Sequence, residues 1–517
     1  MTDGLDLGDT YDATLDRIKA QDSYKSRIGT TALMWICYSE RQLGPEELCQ
    51  ALAVKIGSTD YNADDAPSIQ TVLSCCQGFV MVDKERSTIR LIHYTLREYL
   101  INCRSFFQSP HSTIAETCLT YLNSEQVMAL SYTGVQNTQP SGFLQYSSLY
   151  WGAHMREELT NRGRILALKL FSRYECHVSI RLLLEYTLGR HHLRSIAQFY
   201  KFTGLHCVSL FGLVEVARAL TMIDGVNING TDETGATPLI WAAMSGHEAA
   251  VKLLLELEDV DPDRPDSSGR TPMSWAAENG HEAVVKLLLA QEDANFDRLN
   301  NHDEALWLAV RGGHEAVVGV LLWREDVNPN SPDHKGQTPL SWAAQNGSEA
   351  IVKLLLGRGD VDPDRSDRWG QTPISWASEN GYEAVVELLL EREGVNPDRL
   401  DEWNRTPILL ASQNGYEAVV KLLLEREDVN PDRPDRWGRA PISWAARNGH
   451  EAVVRLLLGR EDVHPNRSDY NGQTPILLAA ENEYVAVVNL LVGRGDVDLD
   501  KVEDGGRTLF SWDVWNE

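Results

Sequence analysis

Long apolar runs are missing from this chain. No stretch of its 517 residues reaches the roughly 18–20 apolar positions that a membrane-spanning helix needs. The opening segment, Met1–Thr10, is acidic and has no apolar core, so no secretory signal is expected. Cysteine is scarce and confined to positions 37, 49, 75, 76, 103, 118, 176 and 207. No CxxC pair has zinc spacing and no regular framework emerges, which argues against a disulfide-stapled scaffold. The expectation is buried thiols in a reducing compartment, cytoplasmic or nuclear. Basic charge is also short, with 48 Lys+Arg against 75 Asp+Glu and a net charge of −27. The first 200 residues hold 19 basic and 21 acidic side chains, which leaves 29 against 54 for the remainder. So acidic a body repels phosphate backbones and anionic lipid headgroups, so neither nucleic acid nor membrane is an expected partner.

The signatures of catalysis are missing as well. The sequence contains no GxxxxGK[ST], GxGxxG or GxSxG. His-Glu pairs recur at His247, His281, His314 and His450, but no second His follows at zincin spacing, and Ser348, Tyr382 and Tyr416 fill the same column elsewhere. These histidines read as structural. Asp259-x-Asp261-x-Asp263 lacks the Gly at position six and the Glu at position twelve of a calcium loop. The expectation is a non-enzyme without metal or cofactor.

What the chain has in abundance is repetition. Thr-Pro-apolar-x-Trp/Leu-Ala begins at Thr237, Thr271, Thr338, Thr372, Thr406 and Thr474, with variants at Thr203, Glu304, Ala440 and Thr508. The offset is 34 residues except for 33 from Thr271 to Glu304. Thr suits a helix N-cap and Pro the first helical position. Gly246, Gly280, Gly313, Gly347, Gly381, Gly415 and Gly449 share one column, as a left-handed helix stop requires. A second helix follows, such as Glu383–Leu390, apolar over most of its circumference and therefore in need of neighbours. Val-Asn/Asp-Pro-Asp-Arg-x-Asp, as in Val429 to Asp435, then supplies loop and turn residues.

These units resemble the ankyrin repeat, with Ser, Ile or Leu mostly replacing the His of Thr-Pro-Leu-His. The resemblance implies helix-turn-helix units with β-hairpin fingers, stacked into a solenoid whose concave face binds proteins. Eight well-formed units are expected from Thr237 to about Asp500, with a degenerate ninth at Thr203 and truncation at Thr508. Three finger tips carry Trp369, Trp403 and Trp437, flanked by Gln371, Arg405 and Arg439 in the column before Thr. Exposed aromatic anchors of this kind favour a partner segment, here apolar and acidic to suit the two arginines. The alternative is that each Trp lies on Arg365, Arg399 or Arg433 as a cation–π pair. A second Trp column (Trp241, Trp275, Trp342, Trp376, Trp444) interchanges with Leu308, Leu410 and Leu478 and so reads as core. The Asn column ending at Asn482 (Asn279, Asn346, Asn380, Asn414, Asn448) reads as helix-terminating. The unit at Glu304 lacks Thr and Pro and is expected to be a soft joint.

The first 200 residues differ. Helices are expected at 32–39, 45–54, 69–76 and 94–103, with a hairpin of strands 79–82 and 89–92, which together suggest a winged helix. Glu46 and Glu47 on its candidate recognition helix argue against DNA readout. Gly4-Leu5 with Thr10-Tyr11, Ala32–Ile36, Glu47–Val54 and Arg90–Leu100 resemble the region after the nucleotide-binding domain of fungal NACHT–ankyrin proteins of the signal-transducing ATPase class. That resemblance implies that His93 stands where a family histidine meets nucleotide; without the phosphate loop it is an orphan, and the bland reading is a half-buried structural His. The expected map is a helical remnant or linker over 1–24, a winged-helix-like module over 25–105, a helical linker over 106–200, the repeat array over 201–500 and a truncated unit over 501–517. The expected function is a mainly α, protein-binding scaffold with an unidentified protein partner. The alternative is the sensor half of a NACHT-type switch whose ATPase domain is missing or separately encoded.

Overall fold

The computed structural model describes residues 7–103, 106–130, 141–172, 174, 177–188, 201–291 and 301–498. The truncated unit over 501–517, the Gly4-Leu5 motif and Cys176 lie outside the described residues. The chain divides into two compact units: Met1–Pro272 with Leu287–Ala294, and Met273–Lys286 with Asn295–Glu517.

The first unit opens with α1 (Leu7–Lys19) and α2 (Ser23–Tyr38), the latter twice as long as its apolar stretch suggested because Asp22 caps it by accepting the Lys25 N–H. α3 (Pro45–Ala53) and α4 (Ile69–Cys75) follow, then the antiparallel pair β1 (Val80–Asp83) and β2 (Thr88–Leu91), with Val80 opposite Leu91, and then α5 (Tyr94–Asn102). This is the winged helix. Its core is Trp35, Leu33, Leu48, Val72, Ile89 and Leu96, all essentially buried. Glu47 on α3 is buried, accepting the Gly44 N–H at 2.7 Å and Arg41 at 2.8 Å, so the acidic helix start serves the fold.

Five further helices complete this part: α6 (Pro110–Leu122), α7 (Glu125–Met128), α8 (Gly142–Glu157), α9 (Asn161–Phe171) and α10 (Val178–Leu188). α6 is buried along its whole length from Ile114 to Leu122, clasped by α8 and α9. α8 also packs on α3 and on the first repeat helix, Gly204–Phe211. At that contact Trp151 and Phe211 stand 5.2 Å apart, and a Cβ on Gly152 would fall 2.2 Å from the Phe211 ring. The thiols of Cys37, Cys76, Cys118 and Cys207 are buried and pushed up to about 12 by burial.

Nine helix pairs are present among the described repeat residues, from Gly204–Phe211 with Val214–Thr221 to Pro475–Glu481 with Val485–Val492. In the second unit Thr338, Thr372, Thr406 and Thr474 cap their helices by accepting the N–H three residues on. The glycine column adopts φ of 68–79° at Gly347, Gly381, Gly415 and Gly449. It also seats a ring from the following repeat: a Cβ at Gly381 would lie 2.4 Å from Tyr416, and one at Gly415 would lie 2.5 Å from His450. The recurring histidines sit in that seat; the Nε2 of His450 donates to the Gln413 carbonyl at 3.0 Å, and that of His314 to Glu278 at 2.8 Å. Asn346, Asn380, Asn414 and Asn482 donate to the carbonyl four residues back, at 2.8–3.1 Å, and so finish the first helix. Outer helices bury their Val-Val and Leu positions, such as Val385, Val386 and Leu389, between neighbours. The atypical unit forms Asn301–Gly312, at 12 residues longer than the usual 7 or 8, with Glu315–Leu322.

The expected β-hairpin fingers take the form of tight turns; β1 and β2 are the only strands among the described residues. Asp367 N–H bonds the Gln371 carbonyl at 3.0 Å to close one finger. Adjacent fingers are tied by single bonds, from Arg368 N–H to Lys335, Glu402 N–H to Trp369, Arg436 N–H to Trp403 and Tyr470 N–H to Trp437, at 2.9–3.1 Å.

Candidate protein-binding face

The fingers at Asp232, Asp367, Asp401, Asp435 and Asp469 are each organised around a buried carboxylate that the sequence reading overlooked. One oxygen of Asp367 accepts the backbone N–H groups of Trp369 and Gln371, both at 2.9 Å, and fixes the turn. The other accepts the indole N–H of Trp376 at 3.1 Å. Asp435 does the same with Trp437, Arg439 and Trp444, and Asp232 in the first unit with Trp241. Where Leu replaces the indole, an arginine supplies the missing donor. Leu410 leaves Asp401 to the Nε of Arg405 at 2.8 Å, and Leu478 leaves Asp469 to the Nε of Arg439 at 3.0 Å. Part of the signal was in the sequence: Trp follows Asp by nine residues at 232/241, 367/376 and 435/444, and Arg405 stands in the unit where Leu410 replaces Trp.

This arrangement corrects two expectations. The second Trp column is not uniformly core: Trp241 is 1% exposed, but Trp275, Trp342, Trp376 and Trp444 are half-buried, and of these Trp376 and Trp444 give the indole N–H to a finger carboxylate. Arg405 and Arg439 form no free basic stripe, because each side chain is about 15% exposed and engaged with a finger carboxylate. Gln371 is buried and donates to Glu379 at 3.0 Å.

The tip residues remain accessible. Trp437 is 41% exposed, and Trp369 and Trp403 are half-buried. Their rings make no contact with one another among the described residues. Two carry a guanidinium on one face, Arg405 at 4.7 Å from the Trp403 centroid and Arg436 at 4.3 Å from that of Trp437. These are not the arginines expected; Arg399 and Arg433 instead pair with Asp364 and Asp398. Trp369 has no such cover. It lines a groove of about 510 Å³ with Trp342, Trp376, Asn346, Asn380 and Lys335.

His93 lies elsewhere, at the N-cap of α5, and is exposed where a half-buried ring was expected. Its Nδ1 accepts from the Thr95 N–H at 3.4 Å and lies 2.7 Å from the Thr95 hydroxyl. Tyr94 stacks on it at 4.9 Å, and both border a cavity of about 560 Å³ that Arg41 and Arg97 also reach. No group of His, Cys, Asp and Glu among the described residues could hold a metal ion, and no described helix is long and apolar enough to cross a membrane.

Stacked helix pairs joined by turn fingers, with anchors at the tips, define a repeat solenoid that presents a surface. A family model for ankyrin repeats, in three copies, matches residues 205–300, 290–367, 306–401, 359–435 and 408–503, and with more than half of its length matched the chain belongs to the ankyrin repeat family. A model for the winged-helix domain of GPI inositol-deacylase matches residues 15–109. The solved ankyrin repeat domain of Bcl-3, described as a unique member of the IkappaB protein family, is 26% identical, with 40% of this chain and 91% of that chain covered at a TM-score of 0.36. No curated protein matches the chain by sequence.

Proposed function

We propose that the chain is a non-enzymatic scaffold that binds protein partners through the inner face of its ankyrin repeats. Trp369, Trp403 and Trp437 are the contacts, and Gln371, Arg405 and Arg439 hold the fingers that carry them. The observation behind this reading is the row of accessible indoles on rigid turns. Each finger is fixed by a buried Asp, so an anchor there is preorganised, and Trp and Arg are the residue types that dominate interfaces. The winged-helix module (25–105), with the helices of 106–200, serves as a second docking element beside the array (201–500), in a cytoplasmic or nuclear setting. The test is capture of a partner by the tagged full chain. Trp369→Ala, Trp403→Ala and Trp437→Ala together should abolish capture while the helical circular dichroism stays unchanged. Undiminished capture removes the reading.

A second reading is the sensor half of a NACHT-type nucleotide-regulated switch. One observation favours it: His93 is exposed and borders a cavity, available to a ligand on another polypeptide or domain. Transcript sequencing that places GxxxxGK[ST] in frame ahead of Met1 would favour this reading over the first.

A further inference from the structure

The three finger tryptophans are not equivalent. Trp403 and Trp437 each have a guanidinium of this chain on the ring, from Arg405 and Arg436. In the Trp369 finger the place of Arg405 is taken by Gln371, which is turned inward to Glu379. Arg368, the counterpart of Arg436, is exposed and lies over no ring among the described residues. The groove beside Trp369 is walled by two further indoles. That of Trp376 is committed to Asp367, whereas Trp342, unlike Trp376 and Trp444, gives its N–H to no acceptor among the described residues and rests edge-on against Trp307 at 5.8 Å.

The charges around the groove resemble those of the Trp437 finger and differ from those of the Trp403 finger. Asp401 faces an arginine Nε, whereas the donors to Asp367, like those to Asp435, are all neutral. Burial holds the Asp367 carboxyl above its ordinary range, and no cation offsets it. Lys335 stands at the groove rim, exposed and away from the ring face. The repeat stretch around it carries the excess of acid over base noted above.

We infer that the groove between the Lys335 and Trp369 fingers receives an arginine from the partner. Its guanidinium stacks on Trp369, as the chain's own arginines stack on Trp403 and Trp437. The occupant is thus a basic, arginine-bearing protein segment, the reverse of the acidic partner that the bare arginine column suggested. The inference rests on the concave-face reading above and adds the chemistry of its partner.

The test uses the full chain at 150 mM NaCl, with fluorescein-labelled Gly-Arg-Gly-Arg-Gly-Arg-Gly and its citrulline and glutamate counterparts followed by fluorescence polarisation. The arginyl peptide should bind at least ten-fold more tightly than the other two, since citrulline keeps the shape and loses the charge. Trp369→Ala should weaken it about ten-fold. Gln371→Arg, which the Arg405 finger shows the fold accepts, should do the same by supplying the missing cation internally. Trp323→Ala, which removes an indole 90% exposed at the end of an outer helix and away from the fingers, should change it less than two-fold. Lys335→Gln should tighten it about two-fold by removing a like charge. Binding unaffected by both Trp369→Ala and Gln371→Arg would reveal diffuse attraction to an acidic body and overturn the inference, as would equal binding of the citrulline peptide. If the arginyl peptide fails while partner capture is still lost in the triple tryptophan variant, only this inference falls. If capture survives that variant, the concave-face reading falls with it.

Discussion

Glycine and aspartate have separable roles within each repeat, and single substitutions can isolate them. Gly381 and Gly313 both adopt positive φ, but a Cβ at Gly381 meets the Tyr416 ring at 2.4 Å, whereas at Gly313 nothing lies within 4 Å. The difference arises because Ser348 stands in the ring column after Gly313. Gly313→Ala should therefore cost only the left-handed backbone strain, about 1 kcal/mol, and Gly381→Ala about 2–3 kcal/mol once the displaced ring is added. Urea midpoints of the two variants will check this; equal losses would mean that the ring seat contributes nothing. The finger aspartates give a second test. The Asp401 side chain is fully buried and relies on Arg405, so Arg405→Ala should destabilise by about 2–4 kcal/mol by leaving a buried carboxylate without its cation. Adding Leu410→Trp to Arg405→Gln recreates the Asp367–Trp376–Gln371 arrangement and should recover most of that loss. No recovery would show that indole and guanidinium are not interchangeable donors here.

At the scale of helices and turns, the repeat was legible because its punctuation is chemical. Thr before Pro, and Gly after the Ala pair, mark helix ends by caps and by φ sign, and the helices Pro373–Asn380 and Glu383–Leu390 lie where those marks place them. The finger chemistry was harder to read. The Trp–Leu interchange looks like simple hydrophobic equivalence unless Asp nine residues earlier is read with it, and that bond joins a turn to a helix. The helices between the winged helix and the repeats were also obscure, since α6 is buried nearly all round, polar positions such as Ser112, Glu116 and Thr120 included, and α8 packs against α3, α6, α10 and the first repeat helix, which blurs any 3.6-residue period. The unit at Asn301–Gly312 remains the testable exception among the helices. It has neither Thr nor Pro at the column where its sisters start, and one lost cap is worth about 1 kcal/mol. Native-state hydrogen exchange of its amides should run about five- to ten-fold faster than in Pro373–Asn380. Equal protection would mean that the longer helix and the bond from the Trp307 indole to Ser331 make up the deficit.

For the molecule as a whole, the two compact units should respond to acid with different signs. His154, His177 and His206 all lie in the first unit and are buried. Burial, aided at His154 by the neighbouring His111, lowers His154 to about 3 and His177 to about 4, and burial lowers His206 as well. These groups stay neutral in the folded chain while the unfolded chain takes up protons as pH falls below about 6.5, so each withdraws stability between that point and its depressed folded value. By pH 5 the withdrawal is about 2 kcal/mol each for His154 and His177. In the second unit Asp367 and Asp398 are raised, chiefly by burial. A folded carboxyl that binds its proton more readily than the unfolded one gains stability as pH falls through its range, so these two groups do not weaken their unit over the same interval. Carboxyls held low by arginine, such as Asp360 beside Arg358, lose stability only below their ordinary value near 3.8. Hydrogen exchange at pH 7 and pH 5, corrected for intrinsic rates, should thus show α6 and α8 losing protection on acidification while Pro407–Asn414 and Glu417–Leu424 keep theirs. His154→Gln should remove its own share, about 2 kcal/mol at pH 5, from the response of α6 and α8. A uniform loss across both units would place the acid sensitivity in the carboxylates, and the buried histidines would then have no part in it.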